Sequence, residues 1–493
     1  MKAILRAAAF LIPTALACRG DVTLPPIFSD GMVLQRQAPV TVWGHADAGE
    51  SVTVRLGSKI ATDTAGPDGQ WTVKLPGLHA GGPYDLDVSG KNRVTIHNVA
   101  MGEVWLCAGA SNMAMTVPAA RNADTEIANA NYPMLRVFTV QSGGSGEWLA
   151  CSPETVKQFS ATAYFFGREL NESLHTPVGL IVSACEATPI EAWVPPSILE
   201  KDFPVAMERY RAQKEAYPAA EKAYEEKLAA WKAAQADPGS PAPHVPVPPR
   251  DPEGLTAPGK AYESLISPLT RWAIRGVAWY QGEADVGNAA AFAKLFPAAI
   301  QGWRAAWHTN DLPFIHAQLA GFLAPRAEPG ESRWAEMRET QMKALSTPGT
   351  GMAVTIDTGA GIHPVGKQDV GHRLALLAQV LAYGKDGAQA CGPVFAGMKI
   401  EGGKVKLTFQ HAGEGLAKST DRPLEGFAMA GEDRNFMWAD ATIQGGNTVV
   451  LQSAGVPKPV AVRYAWADSP EANLCNKAGL PAAPFRTDAW GSE

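Results

Sequence analysis

The sequence predicts an α/β protein with a parallel sheet at its centre and an all-β module at either end. From Met101 onward, continuous apolar runs rich in strand formers alternate with helical stretches, which is the pattern of a parallel sheet covered on both faces. Before residue 98 and after residue 391, short alternating runs are separated by turn signals, as in β-sandwiches. At 493 residues, the chain is also too long for a single core.

Residues 1–17 are predicted to be a secretory signal peptide. Lys2 and Arg6 precede an apolar run, and Ala15-Leu16-Ala17 fits a small-x-small cleavage site. Cleavage there leaves Cys18 first, and a lipid anchor on Cys18 is an alternative to a free terminus. No later stretch is long and apolar enough to span a bilayer. We therefore expect an exported protein, periplasmic or extracellular.

Composition and charge argue against several classes of partner. The formal net charge is −6, and the absence of a basic excess argues against nucleic acid or an anionic membrane. None of the six cysteines forms a C-x-x-C pair, which argues against a structural zinc site. Cys391 and Cys475 are candidates for a disulfide in an oxidising compartment, but the sequence does not decide whether they pair.

Two β modules are expected, one at each end of the chain. Residues 22–98 are predicted to form an N-terminal β-sandwich-type module, and residues 391–493 a C-terminal β module, because strand-like runs there are separated by Gly- and Pro-rich turns. The strands predicted in the first module are Val40–Trp43, Ser51–Leu56, Gln70–Leu75 and Tyr84–Val88. Those predicted in the second are Lys404–Phe409, Thr448–Gln452 and Val460–Trp466.

The central domain is predicted to be split into residues 99–200 and 259–390. Residues 201–258 between them are a charged helical and Pro-rich insertion, which is either a lid or spacer or a solvated segment with no role in chemistry. The predicted strands are Val104–Cys107, Leu135–Val140, Val178–Ala184, Ile274–Tyr280, Phe314–Leu319 and Met352–Ile356. The predicted helices are Ser160–Leu174, Ala289–Trp307, Trp334–Ser346 and Lys367–Tyr383.

Three loops of the central domain are expected to meet at one edge of the sheet. The first carries Ser111, the second Gln281 and Glu283, and the third His363, each just past the end of a predicted strand. Open α/β sheets carry their reactive groups at this edge. A serine, a histidine and a carboxylate placed together can serve as the nucleophile, base and orienting acid of a serine hydrolase. Taken alone, Ser111 and Asn112 fit a helix cap equally well.

Four stretches of the chain carry a family resemblance, namely GEVWLCAGASNM, PVGLIVSACEATPIEAW, RGVAWYQGEAD and TGMAVTIDTGAGIHPVGKQDVGHRLAL. Together they resemble the sialate O-acetylesterase family, an SGNH-type group of carbohydrate esterases. The resemblance implies a flavodoxin-like SGNH domain flanked by β modules. It also implies removal of acetyl groups from sugar hydroxyls without a metal or other cofactor. The expected partner is an acetylated carbohydrate, and the sequence does not select among sialic acid, xylan and xyloglucan.

The resemblance also implies roles for individual residues. Ser111 matches the nucleophile of the family's GQSNM block, and His363 matches the general base of its DIHP block. Glu283 belongs to the QGE block and is expected to orient His363. The Gln281 amide and the Ser111 backbone N–H are expected to hold the oxyanion. The expected oxyanion or substrate contacts are Gln281, Asn112 and Ala187.

Three positions depart from the family pattern. Ala110 replaces a glutamine, Glu186-Ala187-Thr188 replaces a Gly-Gly-Thr that normally gives a backbone donor to the oxyanion, and Gly361 replaces the Asp of DIHP. Without glycine, a backbone conformation with positive φ is less accessible. Without that Asp, the triad acid is Glu283 or Asp357, and we expect Glu283 because it follows its strand by only three residues. Two alternatives remain, namely a weakened esterase that binds acetylated glycans without turnover, and a structural glycan-binding or surface protein whose β modules carry the function.

Overall fold

The computed structural model describes residues 21–141, 144–235, 244–385 and 389–490. The predicted signal peptide and Cys18 lie outside these residues. Within these ranges, no helix has the length and apolar character needed to cross a membrane. Every cysteine in the described part of the chain is a free thiol, so Cys391 and Cys475 are not joined in this structure.

Seven strands form the N-terminal part of the fold and connect it to the centre. The strands at 51–56 and 70–75 lie where the alternating pattern predicts them, and every second side chain in them is buried. The seven are β1 Val33–Gln35, β2 Val40–His45, β3 Ser51–Leu56, β4 Lys59–Thr64, β5 Gln70–Leu75, β6 Gly81–Ser89 and β7 Arg93–Gly109.

The 17-residue strand β7 belongs to two parts of the fold. Its first half pairs with β6 and β1 in the N-terminal sheet. Its second half is a central strand of the large sheet described next. The expected module boundary at residue 98 therefore lies inside one continuous strand.

The central sheet is mostly parallel, as the sequence predicts. Six further strands join β7 in it: β8 Tyr132–Thr139, β9 Trp148–Cys151, β10 Val178–Ala184, β11 Gly276–Tyr280, β12 Phe314–Ala317 and β13 Thr350–Ala353. The order is β13-β12-β11-β7-β10-β8-β9, and of these neighbouring pairs only β8 and β9 are antiparallel. The prediction of a mixed α/β fold with a parallel sheet at its centre is confirmed. The antiparallel edge strand β9 was not predicted.

Helices cover both faces of this sheet. The helices of the described residues are α1 Ser111–Ala114, α2 Ala123–Ala128, α3 Ala161–Leu174, α4 Pro196–Asp202, α5 Pro204–Gln235, α6 Ala289–Ala306, α7 Arg333–Lys343 and α8 Lys367–Leu381. Helices α3 and α8 pack together on one face, where Phe166 and Leu374 belong to one buried core. Trp303 of α6 and Met337 of α7 belong to the other core. In α5, Met207 is the one buried residue among those whose side chains are described, so most of this inserted helix faces solvent.

The last part of the chain is built from β structure around a third core. Its strands are β14 Val394–Glu401, β15 Lys404–Gln410, β16 Leu416–Lys418, β17 Phe427–Ala430, β18 Met437–Trp438, β19 Asp440–Gln444, β20 Thr448–Gln452, β21 Ala461–Tyr464, β22 Leu474–Asn476 and β23 Phe485–Arg486. Two four-stranded sheets result, in the orders β14-β15-β20-β19 and β18-β17-β21-β23.

Candidate active site

Three neighbouring strands end at the same level, and this places their following loops side by side. Gly109 at the end of β7 lies opposite Ala184 of β10 and Tyr280 of β11. Gly109 has φ +143°, and a Cβ atom there would lie 2.1 Å from the Tyr280 carbonyl oxygen, so only glycine allows this close approach. Ser111 follows two residues later as the first residue of α1. It is partly exposed at the carboxyl edge of the sheet, as predicted.

The buried side chain of Asn112 connects the segments that carry the candidate residues. Its Nδ2 donates to Glu283 Oε1 at 2.6 Å and to the Ile362 carbonyl oxygen at 2.8 Å. Its Oδ1 accepts a hydrogen bond from Lys367 Nζ at 2.5 Å. Both amide hydrogens are therefore used within the protein. Asn112 holds the site together in this structure and has no free hydrogen to offer an oxyanion, contrary to its expected role.

Lys367 has no exposed surface, although lysine is rarely buried completely. It is the first residue of α8, and its Nζ lies 5.1 Å from the centre of the Tyr280 ring. Burial lowers the pKa of its ammonium group to about 7, while the negative charge of Glu283 acts in the opposite direction. A role for this residue was not predicted from the sequence.

Glu283 begins a short 3₁₀ helix after β11, preceded by Gly282 with φ +152°. Burial raises the pKa of its carboxyl group, and the Asn112 hydrogen bond and the nearby Lys367 charge oppose this rise. His363 also lowers the pKa of Glu283 through its charge, so the imidazole and the carboxylate share one electrostatic environment. Among the described residues, however, the exposed His363 ring has no hydrogen-bond partner, neither Ser111 nor Glu283.

The other candidate acid, Asp357, is already paired. Its two carboxylate oxygens accept hydrogen bonds from Arg373 at 2.6 and 2.7 Å. Arg373 also donates to the Val354 carbonyl oxygen at 2.7 Å. Asp357 is therefore engaged in an ion pair with Arg373 of α8. Glu283 instead accepts a hydrogen bond from Asn112, the residue that follows Ser111.

Gln281 is completely buried and supports the neighbouring loop. Its Nε2 donates to the Thr188 carbonyl oxygen at 3.0 Å and to the carboxylate of Asp285. Burial raises the pKa of Asp285 to about 7, and this carboxylate also accepts the Ile190 N–H. The structure does not place Gln281 as an oxyanion donor, because both hydrogens of its amide already have acceptors.

The loop after β10 adopts a left-handed conformation without glycine. Ala187 has φ +54° and is exposed. The turn is fixed on both sides of Ala187, since Cys185 N–H donates to the Gly109 carbonyl and Thr188 Oγ1 donates to the Cys185 carbonyl. Within the described residues, the Ala187 N–H has no acceptor, so it remains free to donate to a ligand. Glu186 is exposed as well.

Comparisons with known proteins identify the family. A model of sialic acid-specific acetylesterases, a class of carbohydrate esterases, matches residues 255–375. The sialate O-acetylesterases of Rattus norvegicus and Homo sapiens are 29% and 28% identical, covering 92% and 93% of this chain and 92% and 91% of their own. A carbohydrate acetylesterase from Xanthomonas citri of known structure is 36% identical over 95% of this chain and 100% of its own, with a TM-score of 0.81. The chain belongs to the sialate O-acetylesterase family.

Membership of the sialate O-acetylesterase family makes the chain an esterase, as the motifs implied. The family model covers the loops of Glu283 and His363, whereas Ser111 lies before the matched residues. Lys367 also lies within the matched residues. Its place in the site was missed from the sequence because a lysine at a helix start normally faces solvent. The available signal was spacing, since Lys367, Val370 and Leu374 share one face of α8 and the latter two are apolar.

Proposed function

We propose that this chain removes acetyl groups from sugar hydroxyls through an acetyl-enzyme on Ser111, with His363 as general base and Glu283 as the acid. The observation that carries the proposal is the Asn112 amide, which joins the Ser111 segment to Glu283 and to the residue before His363. The relatives named above are esterases of acetylated sialic acid or other carbohydrates. Acetylated sialic acid and acetylated plant-wall oligosaccharides are therefore the substrates to test.

In the first half of the reaction, Ser111 Oγ attacks the acetyl carbonyl carbon while His363 accepts the hydroxyl proton. The intermediate then collapses, the bond from the carbonyl carbon to the sugar oxygen breaks, and His363 returns the proton to the sugar. Because the exposed His363 ring is not bonded to Ser111 in the unliganded protein, this hydrogen bond must form when substrate binds, as in many hydrolases. Asn112 limits the movement required, since it anchors the Ile362 carbonyl.

The oxyanion needs donors that the protein has not already used. The backbone N–H groups of Ser111 and Ala187 fit this requirement. Ser111 follows the end of β7 at Gly109, and Ala187 follows the end of the neighbouring strand β10. Each well-placed donor of this kind contributes about 3 kcal/mol to the transition state. The Ala187 donor takes the place of the one that glycine supplies in relatives with Gly-Gly-Thr.

In the second half, water attacks the acetyl carbon and gives its proton to His363. The bond to Ser111 Oγ breaks, His363 returns the proton to Ser111, and acetic acid leaves and ionises to acetate in solvent. Glu283 stabilises the imidazolium in both halves. Its second oxygen, Oε2, accepts no hydrogen bond from a side chain of the described residues, so it can accept one from His363.

We further propose that the central unit is a flavodoxin-like SGNH domain formed by residues 99–200 and 259–390. Five parallel neighbouring pairs and helices on both faces support this assignment. Residues 201–258 are then an insertion, and residues 22–98 and 391–493 are accessory β modules.

Hydrolysis of 4-nitrophenyl acetate by the wild-type chain and by Ser111→Ala tests the function. We expect turnover by the wild type and a loss of at least about a thousandfold in kcat for the variant, with an unchanged melting temperature. A weakened esterase that only binds acetylated glycans would bind acetylated oligosaccharides without releasing acetate from them. Variant activity above a tenth of wild type would refute Ser111 as the nucleophile.

A further inference from the structure

A cavity of about 430 Å³ lies between the loop that follows β12 and the C-terminal β strands. None of the residues discussed above for catalysis lines it. Its walls come from four segments of the chain, which are 325–330, 423–427, 438–441 and 465–471.

The cavity is connected to the candidate active site through a shared loop. Gly321, on the loop after β12, forms a bridge with Ala360, three residues before His363, and accepts the Gly361 N–H at 3.2 Å. The next residue, Phe322, donates its N–H to the Asp468 carbonyl at 3.0 Å, and Asp468 stands between the lining residues Ala467 and Ser469. One side of this loop therefore contacts the His363 loop, while its continuation forms the wall of the cavity.

One exposed tryptophan gives the cavity the surface that sugar rings prefer. Trp438 is 45% exposed, and its indole N–H donates to the Ala327 carbonyl at 2.7 Å, which fixes the orientation of the ring. An exposed and immobilised aromatic ring can stack on the C–H face of a pyranose. Its exposure is unusual, because a large flat side chain normally gains from burial.

Trp466 forms part of the cavity wall but presents little surface to a ligand. It lines the cavity, is 6% exposed, and within the described part of the chain its indole N–H has no acceptor. The guanidinium groups of Arg463 and Arg486 lie 5.3 and 4.8 Å from the ring centre. Because this N–H has almost no accessible surface, a ligand in the cavity does not reach it.

Charge decides which sugars fit. Arg326 is the one cation among the lining residues, and it is paired with Asp468 at 2.9 Å. The acidic lining residues are Glu328, Glu425, Asp440 and Glu471. Part of this charge is offset by Arg422, which lies near Glu425 and Glu471. The acidic excess still repels a sugar that carries a carboxylate.

We propose that this cavity is a subsite for neutral sugar residues of an oligosaccharide whose acetylated unit lies at Ser111, with Trp438 stacking on a ring. This inference rests on the proposed function and narrows its substrate class. It favours acetylated neutral oligosaccharides over acetylated sialic acid. An oligosaccharide then contacts the protein on both sides of the loop that carries Gly321.

The first experiment compares substrates that do and do not reach the cavity. For Trp438→Ala, we expect kcat/KM for acetylated xylo-oligosaccharides to fall at least tenfold, mainly through KM, while kcat/KM for 4-nitrophenyl acetate stays within twofold. Met437→Ala is the matched control, because Met437 is 46% exposed on the same strand and does not line the cavity. Equal effects of the Trp438 and Met437 changes on both substrates would overturn the proposal.

The second experiment measures binding by calorimetry and does not depend on catalysis. Unacetylated xylohexaose, a xyloglucan oligosaccharide and sialyllactose are titrated into the wild type and into Trp438→Ala. We expect at least one neutral oligosaccharide to bind, with loss of binding in the variant, and sialyllactose to bind more weakly. Preference for sialyllactose, or no neutral ligand bound, would overturn the subsite. An inactive wild type that still binds neutral oligosaccharides through Trp438 would refute the esterase mechanism and leave the subsite standing.

Discussion

Lys367 donates its hydrogen bond to Asn112, and this contact determines which way the Asn112 amide faces. An ammonium group has donors and no acceptor, so the atom that meets it must be the amide oxygen. The NH₂ group is therefore directed at Glu283 and the Ile362 carbonyl. A lysine on α8 thereby sets the hydrogen bonds of the segments that carry the proposed nucleophile, acid and base.

The first prediction concerns this contact. Lys367→Met keeps an unbranched side chain but removes the donor, so the Asn112 amide loses the group that fixes its orientation. We expect kcat for 4-nitrophenyl acetate to fall tenfold to a hundredfold, with KM within threefold. Lys343→Met, which changes an exposed lysine, is the control and should leave kcat unchanged. Wild-type kcat in a correctly folded Lys367→Met variant would contradict the role.

The same lysine predicts a pH dependence of stability. Its pKa is lowered to about 7 in the folded protein, against its ordinary value of 10.5, so between these values the unfolded chain binds more protons. Stability that depends on this group therefore rises with pH from about 7 to about 10. In urea titrations, the free energy of unfolding of the wild type should increase over this range relative to Lys367→Met. A difference that does not change with pH, or falls, would argue against a lowered pKa of Lys367 in the folded protein.

The third prediction separates the two candidate acids. Glu283→Gln keeps the shape of the side chain and removes its charge, and we expect kcat to fall about a hundredfold or more. Asp357→Asn removes one half of the ion pair with Arg373, so it should lower the melting temperature while kcat stays within about fivefold of wild type. The assignment is lost if Asp357→Asn is the inactive variant and Glu283→Gln is nearly normal.

Exposure of His363 leads to a rescue experiment. His363→Ala should lose most activity because the general base is gone. Since the ring lies at the surface, added imidazole can reach the space that it leaves. We expect 4-nitrophenyl acetate hydrolysis by His363→Ala to increase with imidazole concentration above the uncatalysed rate. Ser111→Ala is the control and should show no such increase, and equal rescue of both variants would refute the assignment.

The last prediction tests Ala187. Ala187→Gly relieves the left-handed conformation of an alanine, which costs about 1 kcal/mol, and keeps the N–H. We therefore expect kcat at or above the wild-type value. Ala187→Pro removes the N–H and disfavours the positive φ, and kcat should fall a hundredfold or more. Activity that survives in a folded proline variant would exclude this N–H as an oxyanion donor.

Much of the fold was predictable because its strands have a simple periodicity. The strand Ser51–Leu56 alternates apolar and polar residues, and its bounds were predicted correctly. β4 was missed because Lys59–Thr64 contains mostly polar or small residues and no side chain in it is buried. The full length of β7 was also missed, since His97, Asn98 and Gly102 interrupt its apolar pattern. Such a strand is stabilised by pairing with strands that are distant in the sequence. The pattern of a single sequence carries no information on that pairing.

The place of the candidate site was predictable, but its hydrogen bonds were not. Strand ends locate Ser111 and Glu283 at one edge, because parallel strands share a direction. The ion pair of Asp357 with Arg373 and the contacts of Gln281 depend on how separate loops pack. These contacts occupy the side chains of Asp357 and Gln281, which the sequence had made candidates for roles in the reaction. The same packing makes Lys367 part of the site, although its own neighbours in sequence describe an ordinary helix start.

The continuity of strand β7 through two sheets has a consequence for how the protein unfolds. Val54 of the N-terminal sheet and Trp279 of the central sheet belong to the same buried core, and β7 runs through both sheets. Unfolding the N-terminal sheet would expose one half of a strand whose other half supports Ser111. The two parts therefore form one cooperative unit, and removal of the N-terminal residues would destabilise the catalytic edge rather than release an independent catalytic domain.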